Sequence, residues 1–233
     1  MKKLTVVAVL AIAITTNTFA GNFSDDFSTG LNPTYWSISQ SSPGLYSVNA
    51  TGGNVALALP NPAANPGGLQ GVSVILNLAA LGGSVSGDFS AQIDFANAVI
   101  GPNNDQVSLD PSFADNFIFD DVYDLSFGRN VHVWNGAVLG AVTETATSGT
   151  FVISRTGSTI VGSFDGTPIL TLSDSSALTS ISFGLDNQPN AANDSPSVII
   201  DNFSLTASSV PEPATMSLLA IGGLAFVFRR RRG

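Results

Sequence analysis

The stretch FSAQIDF at residues 89–95 alternates between apolar and polar side chains. Successive side chains of a β-strand point to opposite faces of a sheet, so this pattern predicts a strand with one buried and one wetted face. The stretch NVHVW at 130–134 repeats the alternation. Further short apolar runs lie at 151–153, 160–164, 181–185 and 197–206. With no helical periodicity between these runs, the body of the chain is predicted to be all-β.

Turn signals separate the predicted strands at the spacing typical of β-sandwiches. Asn135-Gly136 and Asp165-Gly166 are predicted two-residue hairpin turns, because both positions must tolerate positive φ. Residues 60–68 and 101–115, rich in Pro, Asn and Asp, are predicted to be irregular surface loops. The strand rhythm resumes after each loop, so residues 21–208 are expected to form one sandwich domain.

Composition excludes several classes of function. Of the 233 residues, 11% are charged and none is Cys, which removes disulfides, Cys-ligated zinc and thiol catalysis. Between Gly21 and Val210 the chain has sixteen acidic residues but only two basic ones, Arg129 and Arg155. Such an acidic body repels phosphate backbones, and a nucleic-acid partner is not expected.

The N-terminus has the layout of a secretory signal peptide. Lys2 and Lys3 precede an apolar run at 4–14, and Thr18 and Ala20 stand at the −3 and −1 positions of a cleavage site before Gly21. Residues 1–20 are therefore predicted to be a removable signal helix, although a membrane anchor is the alternative. The apolar run is short for a stable span, which favours the signal peptide.

The C-terminus, residues 209–233, combines three elements in a fixed order. Pro211-Glu212-Pro213 is followed by an apolar helix predicted at 214–228. A basic cluster comes next, and its members are Arg229, Arg230, Arg231 and Arg232. This cluster would stay in the cytoplasm by the positive-inside rule, with the body of the chain on the other side of the membrane.

This tripartite order closely resembles the PEP-CTERM sorting signal. The resemblance implies a Gram-negative envelope protein that is held in the inner membrane by one transmembrane helix. It also implies an exosortase as the partner that cleaves the chain near Pro211–Pro213. The processed protein would then reach the cell surface or the extracellular space.

The body itself resembles concanavalin A-like lectins, laminarinase-like glucanases and laminin-G-like domains. The resemblance lies in FSDDF at 23–27, LNPTYW at 31–36, GDF at 87–89, the hairpin from Arg155 to Gly166, and VIIDNF at 198–203. It implies an antiparallel jelly roll of two sheets, whose concave face commonly binds saccharides. Trp36 is expected to lie in the core.

The catalytic motif of the glucanases is absent. Their mechanism requires two carboxylates, which in this family are two Glu flanking an Asp on one strand. The body contains a single Glu, Glu144, with no acidic neighbour nearby. Asp120 and Asp124 could substitute in principle, but they lie in an acidic segment that a solvated surface explains. No nucleophile motif accompanies the sole histidine, His132. The chain is therefore predicted not to be an enzyme.

A structural Ca²⁺ is a candidate cofactor. Asp201 shares strand parity with Ile199 and Phe203, so it is expected to point toward an apolar layer where a carboxylate needs a cation. In the glucanases that the chain resembles, an Asp of the closing strand binds Ca²⁺ together with backbone oxygens. The resemblance implies that Asp201, the backbone near Asp26, and Gly53 would be the ligands here. The alternative is that Asp201 is exposed, because Val198 and Ile200 compete for the core.

A second group of acidic residues lacks the spacing of a Ca²⁺-binding loop. It is expected to be a solvated surface, and its members are Asp105, Asp110, Asp115, Asp120, Asp121 and Asp124.

Asn130, His132 and Trp134 share one face of a predicted strand and form a candidate sugar-binding group. Trp offers a stacking surface for the apolar face of a sugar, and Asn and His can hydrogen-bond its hydroxyls. The alternative is that Trp134 covers the edge of the sheet.

Together these features favour an exported, non-enzymatic β-sandwich that binds saccharide or matrix polymer in the envelope or a biofilm. A self-associating structural matrix protein and a divergent glycoside hydrolase are the alternatives.

Overall fold

A computed structural model describes residues 18–60, 70–100, 105–114, 120–124, 130–134, 138–143, 147–187 and 195–208. For 120–124, 130–134, 138–143 and 187 only the backbone is described. Among the described residues, no helix is long and apolar enough to cross a membrane.

Several predicted features lie outside the described residues. They are most of the signal peptide, most of the loop at 60–68, the Asn135-Gly136 turn, Glu144, and the helix at 214–228. The sorting-signal residues also lie outside, namely Pro211, Glu212, Pro213, Arg229, Arg230, Arg231 and Arg232. Their predicted arrangement across a membrane therefore stays a prediction.

Fifteen strands and one short helix make up the described elements. In chain order they are β1 Gly21–Asp25, β2 Trp36–Gln40, β3 Ser47–Ala50, β4 Val55–Ala58, β5 Gln70–Leu76, α1 Leu78–Leu81, β6 Phe89–Val99, β7 Gln106–Phe113, β8 Asp120–Asp124, β9 Asn130–Trp134, β10 Val138–Thr143, β11 Gly149–Thr156, β12 Thr159–Phe164, β13 Thr167–Ser173, β14 Leu178–Asn187 and β15 Ser197–Ala207.

The strands form two antiparallel sheets, as predicted. The first has the order β13-β12-β11-β6-β15-β4-β3, with β1 also paired to β15, and the second has the order β10-β9-β8-β7-β14-β5-β2. β5 in one sheet and β6 in the other bury alternate residues, which is the signature of two sheets packed face to face. The all-β jelly-roll prediction is confirmed.

The alternation in residues 89–95 is confirmed in β6. Phe89, Ala91, Ile93 and Phe95 are buried, while the polar residues between them are half-buried on the other face. The hairpin at Asp165-Gly166 is also confirmed, since both residues have positive φ, 47° and 76°. This pair of left-handed conformations is what a type I′ turn requires.

An aromatic cluster joins the two sheets around Trp36, which is 4% exposed, as expected for a core residue. Its ring centroid lies 5.5 Å from that of Phe183 on β14 and 5.0 Å from that of Phe203 on β15. Both contacts are edge-on, a geometry that aromatic pairs favour. The indole Nε1 donates a hydrogen bond of 2.8 Å to Asp25 Oδ2, so the polar edge of the buried ring is satisfied.

Arg155 connects two of the sequence motifs shared with the lectin-like domains, at 87–89 and 155–157. It is 2% exposed, and its guanidinium donates to the carbonyls of Val85, Gly87 and Ser176. It also lies 5.2 Å from the centre of the Phe89 ring. The two motifs therefore have a structural role, because they hold the chain around residues 85–89 against β11.

Two expectations about strands are wrong. Residues 106–113, placed in a surface loop, form β7, because Val107, Leu109 and Phe113 keep the period of two that buries one face. Asp201 does not point toward the apolar layer, because a bulge with Asn202 at φ 51° interrupts the pairing between β15 and β6. Ile200 is buried before the bulge and Phe203 after it, so Asp201 falls on the outer face.

The first and last strands meet at one end of the sandwich. Gly21 at the start of β1 pairs with Ala207 at the end of β15. Just before them, Phe19 is 7% exposed and its N–H donates 2.8 Å to Ser84 O. The predicted cleavage after Ala20 would remove this contact. We call the end of the molecule that holds Gly21, Ala207 and Ser84 the terminal end.

Because side chains on β14 alternate between the core and the outer face, substitutions at neighbouring positions should differ strongly in their effect on stability. Phe183→Ala is expected to lower the free energy of unfolding by about 3–5 kcal/mol, because it leaves a cavity inside the aromatic cluster. Ser182→Ala, one residue away on the outer face, should change it by no more than about 0.5 kcal/mol. Urea unfolding followed by tryptophan fluorescence measures both values. Equal losses for the two variants would contradict the assigned register.

Candidate functional site

The outer face of the second sheet carries the candidate site. On β14, Ile181, Phe183 and Leu185 are buried in the core, so the intervening residues lie on the opposite face. Serine, glycine and Asp186 occupy that face on β14, and Ser73 and Gly71 stand beside them on β5. The result is a surface rich in hydroxyl groups, with few large side chains among the described residues.

Asp186 lies in a shallow pocket at the edge of this face. The pocket has a volume of about 270 Å³ and is lined by Ser39, Gln40, Ser41, Gly71, Ser73 and Asp186. The Asp186 carboxylate lies directly over Gly71, so that a Cβ at Gly71 would be 1.7 Å from Asp186 Oδ1. Gly71 is therefore required for the position of this carboxylate, and not for an unusual backbone conformation.

The rim of the pocket is held by internal hydrogen bonds. Ser41 Oγ accepts from the Gly71 N–H at 2.7 Å and donates to Gln70 Oε1 at 3.0 Å. Gln40 Oε1 accepts from the N–H groups of Gly44 and Tyr46 at 3.2 and 3.4 Å. The Tyr46 hydroxyl donates 2.9 Å to Gln70 O. These bonds fix the rim before any ligand arrives.

Burial raises the pKa of Asp186 to about 7. The cause is desolvation, which disfavours the charged form of a carboxyl group. The pKa of Tyr46 is raised as well, first by its own burial and then by the negative charges of Asp186 and Asp105. The Asp186 carboxyl group therefore loses its proton only near neutral pH, because ionisation in this pocket has an electrostatic cost.

The residues predicted to bind sugar belong to rows of paired residues that run across the strands of this sheet; we call these register rows. Asn130 pairs with Asp124, Asp124 with Gln106, and Gln106 with Asp186. Three strand spacings of about 4.8 Å put the backbone of Asn130 about 14 Å from that of Asp186.

His132 and Trp134 lie further along β9. His132 begins a second row that runs through Val122, Ser108, Gly184 and Ser73. Trp134 pairs with Asp120 at the far end of β8. The structure thus places the three predicted residues on one strand, as expected, and describes their backbone alone.

The predicted metal residues lie on the strands that border a gap in the first sheet. β15 pairs with β4 up to Ile200 and with β1 from Phe203 onward, so Asp201 lies where the neighbouring strand changes. A Cβ at Gly53 would be 3.8 Å from the carbonyl oxygen of Asp26, which brings these two residues together. Asp201 Oδ1 accepts the Asn202 N–H at 2.6 Å. In the part of the chain that the structure describes, no group of three or more His, Cys, Asp or Glu residues is placed to hold a metal.

The predicted acidic surface is not uniform. Asp105 is completely buried, so the expectation of a solvated side chain is wrong for this residue. Asp110 lies on the outer face of the second sheet, where its Oδ2 accepts 2.7 Å from Ser108 Oγ. Of the other members of the group, Asp115 lies outside the described residues, and β8 contains Asp120, Asp121 and Asp124.

Comparison with known protein families confirms the predicted sorting motif. Residues 209–232 match the PEP-CTERM protein-sorting motif. The match covers the Pro-Glu-Pro triplet and the whole basic cluster, Arg229, Arg230, Arg231 and Arg232. No curated protein matches the chain.

Solved structures share the fold at low identity. An alginate lyase, AlgAT5 of polysaccharide lyase family 7, is 16% identical, with a TM-score of 0.57 over 76% of this chain and 95% of its own. The cellulose-induced protein Cip1 is also 16% identical, with a TM-score of 0.55 over 82% and 100%. The Emp46p carbohydrate recognition domain is 10% identical, with a TM-score of 0.52 over 76% and 90%, and has metal-free and potassium-bound forms. Lyases and lectin domains therefore both share this fold.

The raised pKa of Asp186 predicts a pH-dependent stability. An ordinary Asp has a pKa near 3.9 in the unfolded chain, so the folded state binds this proton more tightly. The resulting stability is present below about pH 4 and is lost as the pH rises through the folded pKa of about 7. Asp186→Asn removes this loss, and the variant should gain up to about 4 kcal/mol relative to the unsubstituted protein between pH 4 and 9. Ser73→Ala keeps the carboxyl group and serves as the control.

Thermal unfolding at a series of pH values measures this effect. The difference in Tm between Asp186→Asn and the unsubstituted protein should grow with pH. A difference that is constant from pH 4 to 9 would contradict the burial of an ionisable Asp186.

Proposed function

We propose that the protein is a non-enzymatic saccharide-binding module that uses the outer face of its second sheet. The observation that carries the proposal is the pocket at Asp186, whose rim is fixed by hydrogen bonds and whose floor is built from small residues. Sugar hydroxyls require hydrogen-bonding groups in fixed positions, and a rigid strand scaffold supplies them with little loss of entropy on binding.

The size of the face suits an extended chain of sugars. The register row from His132 to Ser39 crosses six strands, a span of about 24 Å at about 4.8 Å per strand. Asn130, His132 and Trp134 occupy one side of this span and the pocket the other. We propose that Trp134 stacks on a sugar ring while Asn130 and His132 bind its hydroxyls, at a subsite separate from the pocket.

The spacing of Asp110 and Asp186 argues against glycoside hydrolysis by this pair of carboxyl groups. Asp110 pairs with Ser182, four residues from Asp186 along β14, a separation of about 13 Å. A glycosidase pair lies about 5–9.5 Å apart, so these two carboxyl groups are too distant to act on one bond. The fold likeness to Emp46p, a carbohydrate recognition domain, supports a binding role.

The sorting motif gives the setting of this function. A PEP-CTERM motif implies export and processing by an exosortase from a membrane-held precursor. We propose that the processed domain ends at the cell surface or in the extracellular matrix, where polysaccharide is the abundant ligand. The terminal end would face the membrane before processing. Asp186, eight residues along β14 from Leu178 at that end, lies about 26 Å from it.

A blocking substitution tests the proposed face. Ser73→Tyr fills the pocket and should abolish retention of the purified domain on a panel of insoluble cellulose, chitin, chitosan and alginate beads. Ser90→Tyr places the same side chain on the outer face of the first sheet and should leave retention unchanged. Circular dichroism verifies that both variants are folded. Equal retention of both variants, or release of sugar products by the unsubstituted domain, would contradict the proposal.

We also propose that the gap between β1 and β4 holds a structural Ca²⁺. The carboxylate of Asp201 and the carbonyl oxygens of Asp26 and Gly53 would supply oxygen ligands, which suit a hard cation. Hydrogen bonds from Ser28 lower the pKa of Asp26, and its side chain is therefore committed locally while its carbonyl lies near Gly53. Water would complete the coordination.

Thermal unfolding in EDTA and in millimolar Ca²⁺ tests this ion. A ligand at about one hundred times its Kd stabilises the folded state by about 2.7 kcal/mol, which should appear as a higher Tm in Ca²⁺. Asp201→Asn should remove most of the increase, while Asp165→Asn, in the hairpin between β12 and β13, should retain it. An identical Tm in EDTA and Ca²⁺ would exclude the site.

A further inference from the structure

The Asp186 carboxylate has no partner within the described structure. None of the residues that the structure describes donates a hydrogen bond to it, although its side chain is half-buried in the pocket. Burying a carboxylate without hydrogen bonds or a counter-cation is costly. Gly71 nevertheless leaves space for this side chain, and the β14 register holds it at the pocket floor.

The neighbouring donors are already engaged elsewhere. Ser41 and Tyr46 both direct their hydroxyls to Gln70, and the Gly71 N–H is bonded to Ser41 Oγ. The hydroxyls of Ser39 and Ser73, which line the pocket, make no hydrogen bond within the described part of the chain. The pocket thus offers a ligand one carboxylate and two hydroxyl groups.

The chain has few basic residues that could pair with the Asp186 carboxylate. Outside the two termini it has only Arg129 and Arg155, and Arg155 is committed to backbone carbonyls toward the terminal end. Asp105, whose negative charge acts on Tyr46, adds to the acidity of the same region. A cation on the ligand is therefore the group that best complements this pocket.

We propose that this pocket recognises the free ammonium group of an amino sugar within a polysaccharide. The ammonium would pair with Asp186, and the hydroxyls of Ser39 and Ser73 would bind the same sugar ring. A volume of about 270 Å³ suits a single ring and not a folded partner. This inference rests on the proposed saccharide-binding function and specifies the sugar that the pocket selects.

The same charge arrangement discriminates against other sugars. A uronate ligand would bring a second carboxylate against Asp186 in a chain that is already strongly acidic, and like charges at close range repel. An N-acetylated amino sugar lacks the positive charge and would leave Asp186 unpaired. Selectivity for the free amine therefore follows from the cost of a buried and uncompensated carboxylate.

Matched oligosaccharides separate the amine from the rest of the sugar. Isothermal titration calorimetry at about pH 7, near the pKa of Asp186, would compare three ligands against the full domain 21–208. They are the chitosan hexamer, the fully N-acetylated chitin hexamer and an alginate hexamer. The first two share their backbone and differ in acetylation of the amine. We expect the chitosan hexamer to bind at least about tenfold more tightly than the chitin hexamer, and the alginate hexamer to bind most weakly.

Two substitutions assign the effect to the pocket. Asp186→Asn keeps the shape of the side chain but removes its charge, and should reduce the preference for chitosan over chitin to less than about threefold. Gly71→Ala should have the same effect, because its Cβ displaces the carboxylate. Asp110→Asn, which removes a carboxylate from the same face outside the pocket, should keep the full preference. Thermal unfolding shows that each variant is folded.

The outcomes distinguish this inference from the function on which it rests. If both hexamers bind equally and Asp186→Asn changes neither, the amine specificity is wrong while saccharide binding stands. If Asp110→Asn weakens chitosan binding as strongly as Asp186→Asn, general attraction to an acidic surface explains the result and the pocket assignment fails. If none of the three hexamers binds and the domain is also absent from the polysaccharide beads, the proposed function fails with it.

Discussion

The register of β14 between β5 and β7 is the constraint on which the rest of this molecule depends. Phe183 is held between the sheets by Trp36, and that contact fixes the parity of the whole strand. Since side chains alternate, Asp186 must lie on the outer face three residues later. A slip of one residue would expose the Phe183 ring and turn the carboxylate into the core. The stability of the aromatic cluster thus determines the position of a polar side chain that the cluster never touches.

Alternation within single strands was sufficient to predict the sandwich. Residues 89–95 show it clearly, and β6 buries the expected side chains. The same reasoning failed at Asp201, because the left-handed conformation of Asn202 shifts the parity, and an Asn in an apolar strand gives no visible sign of a bulge. It also failed at β7, where Pro111 and the neighbouring polar residues have the composition of a loop although the spacing of Val107 and Leu109 is that of a strand.

The residues of the candidate site also differ in whether the sequence alone could identify them. Asn130, His132 and Trp134 could be singled out because their spacing on one strand is local. Asp186 could not, because its significance comes from Gly71, which is distant in sequence and adjacent only through strand pairing. A single Asp followed by Asn has the composition of an ordinary turn. The burial that raises the pKa of Asp186 is a property of the assembled sheet, and no residue pattern in the sequence carries it.

The pairing of Gly21 with Ala207 has a consequence for how this protein is made. The first strand to leave the export machinery finds its partner in the last one, and β15 also completes β4 and β6. Contacts between such distant parts of a chain form slowly, since the loop entropy must be lost first. The first sheet therefore cannot be completed until β15, the last strand, is available.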